Sequence, residues 1–497
     1  MGVVIKQSFW GTLMTYVGVA IGYLNTLYVR AEYFELDQIG LFTLITANAM
    51  IISSFASFGM SSSFLKYFST FSERDRASFF SFLLLVAIIG NILVFGICYA
   101  LQDLIVERYI DSAPAYIEYL FVTAIVIFAN SMFELFMNYS RTIMNVVFPV
   151  FLREIFLRAG SLLMVLGYSL TWWSFDGAIF GLGIIYTAAF ILLSFQLVVI
   201  HNLRFIFNFS IISKTVKSNL VKYGTYSMLL AGSFALINNI SNDQLTTIVG
   251  TSAAGIFNTC FFIAVVVELP RRNMANLIAP ILSTEMEKGA IKEVSSLYKR
   301  SSITMSVLGS LLFIGITTNL SDLFAYIPQG ESFQTGFWVV ISVCLAKLFI
   351  MLSSFSGEII NFSNFYKFNL LFQVLTAFLL VVLNYLLIPI YGLNGAAISY
   401  LSAILFHIIL KGTFVWRKFK IHPFVSTHFK LFLIACSVGI VAFLFTTNLH
   451  PILSIAIRSI STSILFIALI YQFKISVDIN NLIRSTFERV KKIKHFR

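Results

Sequence analysis

Read for apolar continuity, the chain yields fourteen stretches of about the length that a helix needs to cross the hydrocarbon core of a bilayer, roughly 20 residues. They fall at about 8–28, 39–60, 79–100, 116–137, 147–170, 177–199, 223–241, 247–269, 302–318, 334–355, 368–388, 393–411, 429–447 and 452–473. A helix satisfies its backbone N–H and C=O groups internally, as lipid demands. Barrel strands alternate in polarity and are about half as long, so these runs predict helices. Lys6 precedes the first run, but the run is of full length and no small-residue cleavage site follows. It reads as a retained span rather than a signal peptide.

The polar residues between the runs supply an orientation. With a cytoplasmic N-terminus, 30 of the 34 Lys and Arg residues fall on the cytoplasmic side; Arg30, Arg108 and Arg458 fall outside, and Lys347 lies within a run. Cytoplasmic loops collect Lys and Arg, so both termini are expected to be cytoplasmic. An error of one span would scramble the alternation. Composition points the same way: 58% of the 497 residues are hydrophobic and 11% charged, with mean hydropathy +0.89, against about 25% charged in soluble domains. The net charge of +12 is thereby a topology signal, and nucleic acid drops out as its explanation.

Cys98, Cys260, Cys344 and Cys436 sit in four different runs without CxxC or Cys/His spacing. They read as apolar filler, and no metal site or cofactor is expected. In the tail, 474–497, Ile479, Leu482, Ile483, Phe487, Val490 and Ile493 recur at helical spacing among basic residues. That pattern suits a helix lying on an anionic inner leaflet.

The chain also repeats itself. Phe9-Trp10-Gly11-Thr12 matches Lys222-Tyr223-Gly224-Thr225 at an offset of 213, the Gly40 region matches the Gly255 region at 215, and Asp176-Gly177-Ala178-Ile179 matches Asn394-Gly395-Ala396-Ala397 at 218. Three short matches at nearly one offset predict two six-helix bundles in parallel repeat about an axis along the membrane normal. The expected organisation is 1–200 as an N-terminal six-helix bundle, 201–222 as a cytoplasmic linker and 223–415 as a C-terminal six-helix bundle. Residues 416–473 add two further helices, and 474–497 form a basic cytoplasmic tail. In that architecture a substrate binds between the bundles and rocking gives alternating access.

Several blocks carry a family resemblance: Asp37–Leu44 (DQIGLFTL), Ser57–Tyr67 (SFGMSSSFLKY), Tyr223–Phe257 with NNISNDQLTTIVGTSAAGIF, Ala279–Ser283 (APILS) and, most specifically, Leu386–Tyr400 (LLIPIYGLNGAAISY). Over roughly residues 5–415 the chain resembles bacterial polysaccharide flippases of the Wzx type, within the multidrug/oligosaccharidyl-lipid/polysaccharide exporter superfamily. One departure is that the seventh span of the family often ends in Asp-Arg, where this chain has Asp243 followed by Gln244. The resemblance implies a multi-pass protein of the bacterial cytoplasmic (inner) membrane. It would flip a polyprenyl-pyrophosphate-linked oligosaccharide, such as an O-antigen unit of lipopolysaccharide, to the outer leaflet. It also leaves room for a co-transported Na⁺ or H⁺ and for a polysaccharide polymerase or glycosyltransferase as partner.

Such a task needs cationic groups for pyrophosphate and amides for sugar hydroxyls, while charges inside a membrane are costly unless paired or hydrated. Lys347, near the middle of the tenth span, is the leading candidate. Glu358 returns to the same helix face but about 16 Å further along the axis, too far for a direct pair. Arg141, Arg153 and Arg158 form a candidate cytoplasmic vestibule, with Glu154 and Arg158 also spaced to pair along one helix. Glu134 is the candidate coupling acid. Arg30 is expected at the outer end of the first span and Lys66 at the inner end of the second, where both could equally anchor by snorkelling. Asn25, Asn242 and Asp243 are candidate sugar ligands, although such residues also glue helices together. Rival readings are a multidrug exporter or a peptidoglycan-precursor flippase of the same superfamily. A membrane enzyme is disfavoured by short outer loops and by the lack of a P-loop, metal cluster or dinucleotide motif.

Overall fold

The computed structural model describes residues 2–210, 212–445, 449–481 and 483–485, with side chains for all of these except 2–9, 12, 273, 276 and 277. The described residues contain helices and no strand. The main helices are α1 (Gly2–Tyr23), α2 (Leu36–Ala56), α3 (Glu73–Ala100), α4 (Leu120–Thr142), α5 (Leu157–Ser169, preceded by Val147–Phe151), α6 (Phe175–Phe195) and α7 (Lys214–Ile248). They continue with α8 (Thr251–Val265, then Leu269–Glu287), α9 (Ile291–Thr318), α10 (Phe337–Ser353), α11 (Tyr366–Tyr391), α12 (Leu393–Phe419), α13 (Ser426–Leu444) and α14 (Pro451–Gln472). Eleven helices among the described residues are long and apolar enough to cross a membrane. Outside that set are α1, whose early turns carry Lys6, Gln7 and Ser8, α5, which is interrupted, and α10, which has 17 residues.

Three helix interruptions fall beside charged side chains. α1 runs through a π turn, Leu24–Val29, into Arg30–Tyr33, and α5 contains the π turn Leu152–Phe156. α8 tightens to a 3₁₀ turn at Val266–Glu268, just before Pro270. Proline removes a backbone donor and crowds the carbonyl four residues earlier, which accounts for the last. Such insertions often mark functional positions.

By its packing the chain falls into two compact units. The first comprises Met1–Thr259 with Ala377–Ala396, and the second Cys260–Thr376 with Ala397–Arg497. This is a partition by contact rather than by sequence repeat. In the first unit α2 packs along both α7 and α4, and α6 lies against α4. Its core includes a stack of aromatic residues around Phe64, Phe79, Phe80 and Phe136. In the second unit α9 packs on α10 and α13, and α13 pairs with α14. The first turns of the tail are tied to α9 by Arg300, whose Nε donates to both Asp478 oxygens at 2.7 and 2.8 Å, and by Thr304 with Ser476 at 3.1 Å. Leu482, Phe487, Val490 and Ile493 of the tail pattern lie outside the described residues.

The repeat-related glycines meet. In the first unit, a Cβ on Gly255 would lie 2.7 Å from the Leu36 carbonyl oxygen and 3.0 Å from the Gly40 nitrogen, and one on Gly40 would strike the Thr251 carbonyl. Leu36 and Thr251 are separated by the same 215 residues as Gly40 and Gly255. The contact is therefore reciprocal: two equivalent helix starts, α2 and α8, cross where neither carries a side chain. Asp37 secures the crossing by accepting from Thr251 Oγ1 at 2.5 Å and Ser252 Oγ at 2.6 Å.

Candidate functional site

A cluster of charged side chains in the first unit lies on α1, α4 and α5. Side chains on a helix tilt toward its N-terminus, so Arg30, near the end of the α1 extension, reaches back along the span. Its Nη2 donates to Ser161 Oγ at 2.6 Å, and its guanidinium lies over the Phe42 ring at 4.1 Å. Asn25, in the π turn, donates to the same Ser161 at 3.2 Å. Arg30 Nε and Asn25 Oδ1 are buried without hydrogen-bond partners.

From α5, Arg153 pairs with Glu134 of α4, and Arg158 pairs with Glu154 at 2.9 Å. Arg141 donates to Asn138 Oδ1 at 3.0 Å and forms no ion pair among the described residues. Tyr186 on α6 lies within electrostatic range of Arg30, Arg153 and Arg158. Arg30, Arg153 and Arg158 therefore form a belt around Tyr186, with Arg141 in electrostatic range of Arg153. α1 continues past residue 28, and Ser161 lies on α5 within reach of Arg30. Four guanidinium groups against Glu134 and Glu154 leave a net charge of +2. Arg153 and Glu134 keep 43% and 29% of their side-chain surface, so this part of the belt borders accessible space.

A second cluster lies where the segment between α3 and α4 folds onto α7. Helices Gln102–Tyr109 and Pro114–Glu118 bring Arg108 and Tyr109 to Asp243, which is 4% exposed and accepts from both. Asn48 donates to the hydroxyls of Tyr109 and Tyr116 at 3.0 and 3.1 Å. Burial pushes the Tyr116 hydroxyl up to about 12. Burial and then the Asp243 carboxylate push that of Tyr109 higher still. A guanidinium, that of Arg108, thus reaches Asp243 although position 244 is Gln. Asn242 is 5% exposed with its Oδ1 unpartnered. Lys66 lies over the Tyr223 ring at 3.8 Å.

In the second unit Lys347 is 2% exposed and its Nζ lies 2.9 Å from Glu268, with the Phe261 and Tyr400 rings at 5.5 and 5.4 Å. Glu358 pairs with Arg271 instead. Sequence reasoning missed Glu268. It ends an apolar run two residues before Pro270, and the helix interruption there aims it at α10. The four cysteines are free.

No family model matches the chain, and no match is found among curated proteins. Solved structures do match. A lipid II flippase MurJ in an inward closed conformation aligns with a TM-score of 0.76 at 13% identity, covering 94% of this chain and 99% of that one. An inward-facing multidrug resistance MATE family transporter of the MOP superfamily aligns at 0.66 and 12%, covering 84% and 98%. A MOP superfamily transporter from Pyrococcus furiosus aligns at 0.58 and 12%, covering 84% and 95%. At such identities the likeness is one of fold. The chain is a multi-pass helical membrane protein with the fold of the MOP-superfamily transporters.

Proposed function

We propose that this chain is a flippase that moves a polyprenyl-diphosphate-linked oligosaccharide from the cytoplasmic to the outer leaflet of a bacterial inner membrane. It does so by alternating access, with fourteen spans and both termini in the cytoplasm. The reading rests on the arginine belt of the first unit. Charges in a membrane interior are costly unless neutralised, and a surplus of two positive charges there calls for a dianion. A diphosphate diester supplies about two negative charges, while a cationic drug would be repelled. Arg153 and Arg158 can exchange Glu134 and Glu154 for phosphate oxygens, and Arg30 and Arg141 need no exchange. Glu134, released from Arg153, is then the candidate coupling group. The crossing at Gly40 and Gly255, sealed by Asp37, closes the outer ends of α2 and α8 against each other.

Moving negative charge outward across an inside-negative potential yields about 2.3 kcal/mol per charge per 100 mV, so the potential itself favours export of the dianion. A peptidoglycan precursor shares the diphosphate, and the belt favours it equally; the glycan separates the two readings. Deleting the gene and analysing lipid-linked intermediates tests both. A complete surface-polysaccharide repeat unit retained on its carrier at the cytoplasmic face supports the proposal, and accumulation of the cell-wall precursor moves it to the second reading. Normal glycans with increased dye sensitivity refute both.

A further inference from the structure

The second unit contains a polar site that the transport reading does not use. α10 ends at Ser354, whose φ is 50°, and the chain restarts as helix Ser356–Asn361. Arg271 of α8 spans the break: its Nε donates to the Ser354 carbonyl at 2.9 Å and its Nη2 to both Glu358 oxygens at 2.9 and 3.1 Å. With Glu358 so occupied, Lys411 of α12 forms no ion pair and no hydrogen bond among the described residues, although Glu358 and Arg271 lie within electrostatic range.

Lys411 Nζ is 3.0 Å from the point where a Cβ on Gly357 would sit, and Asn369 Oδ1 is 3.9 Å from that same point. Asn369 is 6% exposed; its Nδ2 donates to Asn361 Oδ1 at 2.7 Å, and its Oδ1 has no partner. A buried acceptor without a donor is unfavourable and uncommon. An unpaired ammonium and an orphaned carbonyl oxygen thus both lie beside Gly357, and Asn361 next to them is exposed. The facing charges, Arg271, Lys411 and Glu358, sum to +1; His407, also in range, is held by Thr376 Oγ1 at 2.8 Å.

We infer that this is a binding site for a singly charged phosphodiester that carries a hydroxyl, the chemistry of a glycerol-phosphate lipid headgroup. The phosphate lies against Lys411 and the hydroxyl donates to Asn369 Oδ1, while a side chain at Gly357 would press on the Lys411 ammonium. Exposed Trp416, Phe362 and Phe368 lie on the neighbouring turns, with exposed Lys367 and Lys418. Aromatic and basic residues together mark the membrane–water interface, where headgroup phosphates lie. The inference rests on the membrane reading of the chain but not on the identity of the transported substrate.

The test is thermal unfolding of the full-length protein in neutral detergent, titrated with phosphatidylglycerol, phosphatidylcholine or soluble glycerophosphoglycerol. The proteins compared are wild type, Lys411→Met, Asn369→Leu and Gly357→Ala. Phosphatidylglycerol raises the wild-type midpoint saturably and phosphatidylcholine does not. The half-saturating concentration rises roughly tenfold or more in Lys411→Met, as expected for loss of a charge-assisted hydrogen bond. Gly357→Ala keeps every charge and shows the same direction of change, which separates site loss from misfolding. A matching response to glycerophosphoglycerol assigns recognition to the headgroup alone, and a response confined to phosphatidylglycerol assigns it to the intact lipid. Equal half-saturation in all four proteins, or equal stabilisation by phosphatidylcholine, overturns the inference and leaves a water between Lys411 and Asn369.

Discussion

Replacing Lys347 by Met leaves the Glu268 carboxylate stranded, with side-chain exposure of only 12%. Removing one partner of a buried pair costs about 3–5 kcal/mol. A ceiling is set by the escape route: Glu268 can take up a proton, which from a solution pKa near 4.3 costs about 3.7 kcal/mol at pH 7. Arg272, 4.0 Å from Glu268 but with half its side chain exposed, offsets little of this because solvent screens it. The expected loss is about 3 kcal/mol, or about 3–6 °C in midpoint for a chain of this size, extrapolating from smaller domains. The double variant Lys347→Met/Glu268→Gln removes both charges and regains about 2 kcal/mol. The assay is a double-mutant cycle by thermal unfolding in detergent, at pH 7 and pH 5. Protonation of the stranded acid shrinks the deficit of the single variant by about 1.4 kcal/mol per pH unit as pH falls. Additive single effects, within about 0.5 kcal/mol, or a deficit indifferent to pH would refute the argument that Lys347 is consumed by Glu268. Transport that fails in a double variant of normal stability would return Lys347 to the substrate path.

Arg30→Ala and Arg153→Ala each reduce flipping of a fluorescent polyprenyl-diphosphate sugar in vesicles by roughly ten- to a hundredfold, the loss of one charge-assisted contact; flipping at the wild-type rate in both would remove the belt from the mechanism. Gly255→Ala places a methyl 2.7 Å from the Leu36 carbonyl, so it forces α2 and α8 apart and increases labelling of a cysteine at Ser252 by an impermeant maleimide from outside. An inside-negative potential of 100 mV accelerates export relative to unpolarised vesicles, and rates independent of potential would count against transfer of a dianion. Tyr109→Phe removes one donor to Asp243 and one acceptor for Asn48, lowering stability by about 1–2 kcal/mol in the same unfolding assay.

The apolar runs, the basic alternation and the repeat offsets were legible in the chain alone, because they arise from the cost of exposing polar backbone and charge to lipid. Among the described residues, eleven of the expected helices are long and apolar enough to span, and the Gly40–Gly255 match became a contact between equivalent helix starts. Pairing between helices was not legible. Nothing in sequence spacing joins Arg108 to Asp243, Lys347 to Glu268 or Arg30 to Ser161, since each pair is 79 or more residues apart and meets only through helix packing. The π turns at Leu24–Val29 and Leu152–Phe156 add to this, because one extra residue rotates every following side chain onto a new face. Sequence therefore determined which segments are apolar enough to enter a membrane, a matter of transfer free energy summed over one segment. Tertiary structure decided which charges are neutralised there and which remain available, because that depends on neighbours within a few ångströms that one segment cannot specify.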